Sequence, residues 1–354
     1  MSPFNKKEFI ALLILLTAVT LILSGWRNYR LHNPSAIQSD IPVEIYLHEP
    51  TGIDSLIEKM DSLEINVDSK ELSWAGRVLG WRNFRPGLYI VDGSQSYEEF
   101  LSNMARGIQN AASVTILSGS DPERIAITLG NQLKADAEEF SRIFSDSSDM
   151  AQELNLSGEE LFSRMLPNTY QIYWTSSPEN AVQRVYNEFN RMIADRYRDE
   201  ISESPYSLNE IITLASIVEM EAKVAEEKPR IAGLYLNRLN RNMLLQADPT
   251  VIYALGERRR LLFEDYRFDH PYNTYIHAGL PPGPITNPDE ASIRAVLNPE
   301  IHDYLFMVAA PDGSHRFSRT FEEHRQASAE WRRWIQEQYR LRDERERLES
   351  ENQQ

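Results

Sequence analysis

The chain has 354 residues, 42% of them hydrophobic and 25% charged, which gives room for one large or two medium domains with a sizeable core. Its 53 acidic residues outnumber 37 basic ones, and the net charge of −16 excludes a nucleic-acid partner, which would need a basic stripe. There is no cysteine, so disulfides, thiol catalysis, Cys-based metal sites and a lipidated N-terminal Cys are excluded. The 7 histidines form no paired ligand spacing, and neither a metal nor a cofactor is expected.

Residues 9–25 are uncharged and mostly apolar, with Lys6 and Lys7 before them and Trp26, Arg27, Tyr29 and Arg30 after. As a helix, residues 9–26 would span about 27 Å, enough to cross a bilayer core. A cleaved signal peptide is the competing reading. It suffers from the length of the apolar run and from Leu23, where a small residue is wanted three before a cut after Gly25. The expectation is an uncleaved single-pass anchor after a short tail, residues 1–8. The lysines and arginines balance across the span, and the free amine tips the N-terminus toward the cytoplasm. The bulk of the chain then lies outside it.

Residues 27–40 are polar and aperiodic and read as a tether. The stretch 41–112 reads as a small α/β unit, with strands at 43–47 and 87–91 and helices at 52–63 and 97–108. This order resembles the LysM-like segment of proteins that hold bacterial cell-wall glycan; a structural unit without a ligand competes with it equally. In residues 113–326 the pattern predicts a strand at 114–117 and a helix capped by Asp121, with Pro122 in its first turn, running to residue 140. Further helices are predicted at 158–165 and 177–198, with a strand at 170–174 between them. Residues 327–354 read as a charged helix whose apolar face is little more than Trp331, Trp334 and Tyr339. The fold class expected is mixed α+β.

One helix stands out. Ile211, Ile212, Leu214, Ala215 and Val218 follow the spacing of a half-buried helix, and two acids close it, Glu219 and Glu221. Residues two apart on a helix point roughly 200° apart, so these carboxylates cannot form a dyad on one face. If this helix does carboxylate chemistry, one Glu works alone or with a distant segment, for which Asp248 and Asp289 are candidates. On composition alone, a Glu on such a helix is usually a solvated flank residue.

Six segments then carry a resemblance: Ala215-Ser-Ile-Val-Glu-Met-Glu-Ala222, Ala232-Gly-Leu-Tyr-Leu-Asn-Arg238, Leu245-Gln-Ala-Asp-Pro-Thr-Val-Ile-Tyr-Ala-Leu-Gly256, Tyr272-Asn-Thr-Tyr275, Gly279-Leu-Pro-Pro-Gly-Pro-Ile-Thr-Asn-Pro288, and Tyr304-Leu-Phe-Met-Val-Ala309 with His315-Arg-Phe317. In order and spacing they resemble the YceG-like endolytic murein transglycosylases, the MltG family. The match is strong over residues 207–324 and weaker over 41–177, where Asn168 stands in place of the family's usual Asp.

The resemblance implies an enzyme of the inner membrane, with its catalytic domain in the periplasm, that cuts nascent peptidoglycan strands internally and leaves 1,6-anhydro-muramyl ends. It implies cell-wall synthases as partners. It places the catalytic carboxyl on Glu219; burial against apolar neighbours such as Ile212 and Ala215 would keep that group protonated. Glu221 reads as a residue that supports Glu219 or as a salt-bridged one. Gln246, Asp248, Asn273 and Tyr275 are substrate-binding candidates, and Gln246 has the least structural excuse among them. Plainer roles compete elsewhere: Asp248 as a helix cap, the tyrosines as core residues with a satisfied hydroxyl, and the proline-rich 279–288 loop as a stiff connector instead of a groove wall. His277 and His315 receive no role. Two other functions compete, a catalytically silent glycan-binding scaffold and a hydrolytic muramidase with a second carboxylate.

Overall fold

The computed structural model describes residues 6–351, so most of the expected tail at 1–8 and the last three residues fall outside it. The first element, α1 (Lys6–Leu31), is 26 residues long with a mean hydropathy of 2.4 over its best window, and none of that window is buried. It is long and apolar enough to cross a membrane.

The chain divides into two compact units. The first comprises residues 1–113 with two short later pieces, 132–134 and 171–176. In it the expected tether at 27–40 is ordered instead. Helix α1 runs on to Leu31, whose side chain is buried, and Arg30 forks onto Glu71 at 2.6 Å and lies over the Trp74 ring at 3.6 Å. Strand β1 (Ile37–Leu47) begins well before residue 43 because Ile37 is wholly buried and pairs with Val67. The elements that follow are β2 (Thr51–Gly52), α2 (Ile53–Ser62), β3 (Asn66–Val67), α3 (Ser69–Leu79), β4 (Asn83–Phe84), β5 (Gly87–Gln95) and α4 (Tyr97–Arg106). β1 pairs antiparallel with β5, register Val43 to Val91 through Leu47 to Gly87, and with β3 on its other edge. Their inner faces and the apolar stripes of α2, α3 and α4 close one core around Ile45, Leu56, Leu72, Phe84 and Leu101. Asp68 starts α3, its carboxylate accepting from the N–H groups of Lys70 and Glu71 at 2.9 and 3.0 Å.

The unit boundary runs through β6 (Ala111–Ile116) and β7 (Asn168–Tyr173), which pair with each other. The second unit is mostly helical. As expected, Asp121 accepts from Arg124 N–H at 2.8 Å and begins α5 (Pro122–Gln132). The helix does not reach residue 140. A new capping box, Asp136 with Glu139, starts α6 (Ala137–Ile143), and α6 packs so close that a Cβ on Gly130 would overlap Ala137. Helices α7 (Asp149–Leu154) and α8 (Gly158–Ser163) precede β7. The long helix expected at 177–198 also divides: α9 (Pro178–Phe189) gives way to a π turn at Asn190–Ala194 before α10 (Arg198–Glu203). The extra residue of the π turn brings Ile193 and Tyr197 into the core.

Around this core lie α11 (Leu208–Glu221), α12 (Lys228–Asn240), α13 (Asp248–Leu255) and α14 (Glu290–Leu297). A hairpin of β8 (Phe306–Ala309) and β9 (His315–Ser318) leads into α15 (Phe321–Glu351). That last helix starts six residues earlier than expected because Thr320 Oγ1 accepts from Glu323 N–H at 3.2 Å and caps it. The architecture is mixed α+β, as the sequence indicates.

Gly233 shows how tightly α12 is seated. A Cβ there would collide with the backbone carbonyl of Glu300, whose own N–H is fixed to Pro229 O at 3.0 Å. Gly233→Ala should therefore lower unfolding stability by about 1–3 kcal/mol, readable by chemical denaturation.

Candidate active site

Helix α11 is the central post of the second unit. Its capping box, Ser207 with Glu210, satisfies the first-turn donors. Every residue from Ile211 to Val218 is buried, so this is a helix buried all round instead of the half-buried one expected. Its two buried hydroxyls are used: Thr213 donates to Asn209 O, and Ser216 donates to Thr213 O while accepting from Ile285 N–H at 3.0 Å. That last bond belongs to the 279–288 loop, which is a buried connector. Asn287, fully buried, donates to Leu117 O and Met165 O and accepts from Ser120 N–H. Ile285 of this loop also lines a cavity of about 370 Å³ with Met220, Pro249 and Tyr253.

Only at its C-terminal end does α11 leave the core, and there its two carboxylates diverge as the helical angle requires. Glu219 turns toward α12 and α14. Its Oε2 accepts from Lys228 Nζ at 2.9 Å and Ser292 Oγ at 2.6 Å, with Asp289 N–H at 3.4 Å. Lys228 also bonds Asp289 Oδ2 at 2.7 Å, and Asp289 caps α14 through Ser292 N–H at 2.7 Å. Burial alone would raise the Asp289 carboxyl; the Lys228 ammonium and the Ser292 N–H outweigh it and hold the group below the usual range. The side chains of Lys228 and Glu219 are only 7% and 9% exposed. The apolar pocket expected around Glu219 is in fact a buried ion-pair network.

Glu221 has the opposite surroundings. It is half-buried and forms no salt bridge among the described residues. Its Oε1 accepts a hydrogen bond from the Tyr235 hydroxyl at 3.0 Å. Loss of water pushes its carboxyl up to about 7; the Tyr235 bond and the Arg238 guanidinium pull it down, and the charge of Asp248 pushes it further up. Tyr235 is itself buried, so its phenol is held well above its ordinary range and stays a donor. Arg238 is locked by Leu305 O at 2.7 Å and Leu245 O at 2.5 Å.

Asp248 is exposed and does not cap α13, whose first turn has no side-chain cap. It accepts from the Tyr275 hydroxyl at 2.5 Å, and the Tyr275 ring lies 4.5 Å from that of Tyr266. Gln246 is exposed beside it in the left-handed region, φ 50°, held by its N–H on Thr274 O at 3.1 Å. Asn273 is different. It is fully buried, donates to Phe268 O at 2.8 Å and accepts from Tyr275 N–H at 3.0 Å, so it shapes the loop that presents Tyr275. Of the six site residues expected from sequence, the structure thus gathers Glu221, Asp248 and Tyr275 in one cluster with Gln246 alongside Asp248. Glu219 faces away from it and Asn273 lies beneath it. A groove of about 470 Å³ opens beside Asp248, lined by Arg260, Leu261, Leu262, Phe263 and Tyr266.

Sequence reading passed over Lys228, Tyr235 and Ser292. Tyr235 lay inside one of the recognised segments; nothing marked Lys228 or Ser292, because their partner is 9 or 73 residues away. His277 pairs with exposed Asp269 at 3.3 Å, and His315 bonds Glu227 at 2.8 Å, away from Glu221. Removing the ammonium alone, in Lys228→Met, should cost about 3–5 kcal/mol of unfolding stability, since it strands Glu219 and Asp289 without a counter-charge. The double variant Lys228→Met/Glu219→Gln should recover part of that loss in the same denaturation assay.

The chain is similar to several known proteins. An endolytic murein transglycosylase of Bacillus subtilis (strain 168) is 26% identical over 332 residues, 88% of this chain and 91% of that protein. A Streptococcus pneumoniae (serotype 2, strain D39) protein of the same name is 28% identical over 291 residues, 73% of this chain; the match spans 52% of that protein. The crystal structure of a putative YceG-like protein from Listeria monocytogenes superposes with a TM-score of 0.57 at 27% identity, covering 81% of this chain and 99% of that one. The YceG-like family matches residues 45–330, from the first strand of the first unit to the start of α15, and the chain belongs to that family.

Proposed function

We propose that this protein is an endolytic peptidoglycan lytic transglycosylase in which Glu221 is the acid–base group. The observation that carries the reading is a half-buried carboxyl raised to about 7 by loss of water, with a second carboxylate nearby, exposed Asp248, that itself lines an open groove. A group poised there can give and take a proton at neutral pH. The relatives named endolytic murein transglycosylases supply the substrate class.

Protonated Glu221 donates to the glycosidic oxygen as the bond from the muramyl anomeric carbon breaks. The carboxylate so formed takes the proton of the muramyl 6-hydroxyl, whose oxygen bonds to the anomeric carbon and closes the 1,6-anhydro ring. One proton goes out and one comes back, and no water is consumed. A single carboxyl therefore suffices. Asp248 carries negative charge toward the carbon that becomes cationic in this step, and Tyr275 orients it. Glu219, with one oxygen filled by Lys228 and Ser292, suits a structural role better than proton transfer. The proximity of Asp248 to Glu221 also favours a second reading, a hydrolytic muramidase, in which Asp248 would activate water or form the covalent intermediate.

In this proposal α1 is a single-pass anchor in the cytoplasmic membrane, with its N-terminus inside and both units in the periplasm, where strands and their synthases are found. The first unit, with its LysM-like order, would hold the strand.

Full-length protein in lipid, given uncrosslinked strands, should yield anhydro-muramyl ends; reducing ends would convert the proposal to muramidase, and intact strands would sink it. Glu221→Gln should reduce cleavage by about 10²–10⁴-fold, and Glu219→Gln chiefly stability. Retained activity in Glu221→Gln with loss in a folded Glu219→Gln would return the role to Glu219. In the parent, kcat/KM should fall as pH rises through about 7, as Glu221 loses the proton it donates. The same shift acts on stability. The folded carboxyl, at about 7, holds its proton better than the free group at 4.5, so its contribution is complete below 4.5 and lost as pH rises through about 7. Glu221→Gln should accordingly melt higher than the parent at pH 8 by roughly 2–4 °C or more, with the gap closing at acid pH.

A further inference from the structure

Three arginines stand in succession, Arg258, Arg259 and Arg260, of which Arg260 lines the groove beside Asp248 and the other two are committed to the fold. Arg258 donates to Gly119 O at 2.9 Å and faces Asp121 at 3.6 Å. Arg259 forks onto buried Asp265 at 2.7 and 2.8 Å. Arg260 has no side-chain hydrogen bond or ion pair among the described residues. It is exposed, lines the groove, and lies close enough to Tyr266 for its charge to act on that phenol. In the same wall Phe263 is 94% exposed, the largest exposure of any aromatic ring described.

This ring is not on a loose loop. Asp265 accepts from Leu262 N–H at 2.6 Å, and a short 3-10 turn, Asp265–Arg267, follows at once. Folding therefore holds an apolar platform in water, next to a free guanidinium, on a groove whose other wall is Asp248. An apolar ring face left in water gains free energy when a ligand covers it. A pyranose ring offers a matching C–H face. A free guanidinium fits a carboxylate, which it can bind through two parallel N–H bonds.

We propose that this groove is a glycan subsite, in which Phe263 carries the apolar face of a sugar adjoining the scissile bond and Arg260 takes a carboxylate borne by a muramyl residue. The inference rests on the murein-cleaving reading above. The carboxylate has two sources: the lactyl group of an unsubstituted muramyl sugar, or the stem peptide of a substituted one.

The test uses the full chain in lipid, uncrosslinked strands with stems, the same strands stripped of stems by an amidase, and a chitin oligosaccharide as a carboxylate-free inhibitor. Phe263→Ala should raise KM about tenfold on both strands and weaken the inhibitor equally, with kcat little changed. Arg260→Ala should raise KM about tenfold on strands and leave inhibition by the chitin oligosaccharide at the parental value. A loss confined to stem-bearing strands assigns the contact to the peptide, and one confined to stripped strands assigns it to the lactyl group. Parental KM values in both variants, with an active parent, overturn the subsite alone. So does an Arg260→Ala defect that is as large for the chitin oligosaccharide as for strands. A parent that neither cleaves nor binds strands overturns the murein reading itself and the subsite with it.

Discussion

The second unit depends on one buried ammonium. Lys228 stands between Glu219 at the end of α11 and Asp289 at the start of α14, and it belongs to the first turn of α12. Consecutive helices α11 and α12 and the distant α14 are joined where α11 leaves the core. Such a group cannot be left unpaired in a low-dielectric site, so the three elements hold one relative position or pay a large desolvation penalty. That position decides where the opposite flank of α11 points. Glu221 faces Tyr235 and Asp248 because Glu219 is tied down on the other side.

Two carboxylates separated by one residue thus acquire opposite properties. Glu219 has a cation, a hydroxyl and a backbone N–H gathered on one oxygen. Glu221 has lost water and gained only one hydrogen bond and a fixed guanidinium, with a second negative charge nearby. The difference is environment alone. A carboxyl that must exchange a proton at neutral pH needs the second setting, and its charged neighbour there, Asp248, lines a groove.

The residues around the cluster divide in the same way. Asn273 and Asn287, both fully buried, use their amides to fix backbone, and so act on the site only through the shape of its loops. Tyr275, Asp248 and Gln246 keep faces toward solvent. Gln246 does so from a left-handed backbone conformation, which turns the chain sharply between α12 and α13.

Much was legible in the sequence. Apolar periodicity and cap residues located the apolar middle of α1, the start of α5 and the body of α11 from Ile211, since these signals act within one or two turns. The angle between Glu219 and Glu221 followed from helical geometry, and the family followed from six spaced segments. The ends of α5 and α9 were misread, because Gly130 admits a close neighbour and a π turn shifts the register, and neither is visible in periodicity. Which glutamate is paired and which is left with a raised carboxyl was not legible at all. Lys228, Ser292, Asp289, Tyr235 and Asp248 come to the end of α11 from 9 to 73 residues away, and the proton affinity of a carboxyl is set by what surrounds it in space. The sequence determined that two carboxylates leave the core on opposite sides of one helix; the tertiary structure decided which side meets an ammonium and which meets a phenol and a second carboxylate, because those partners come from other helices.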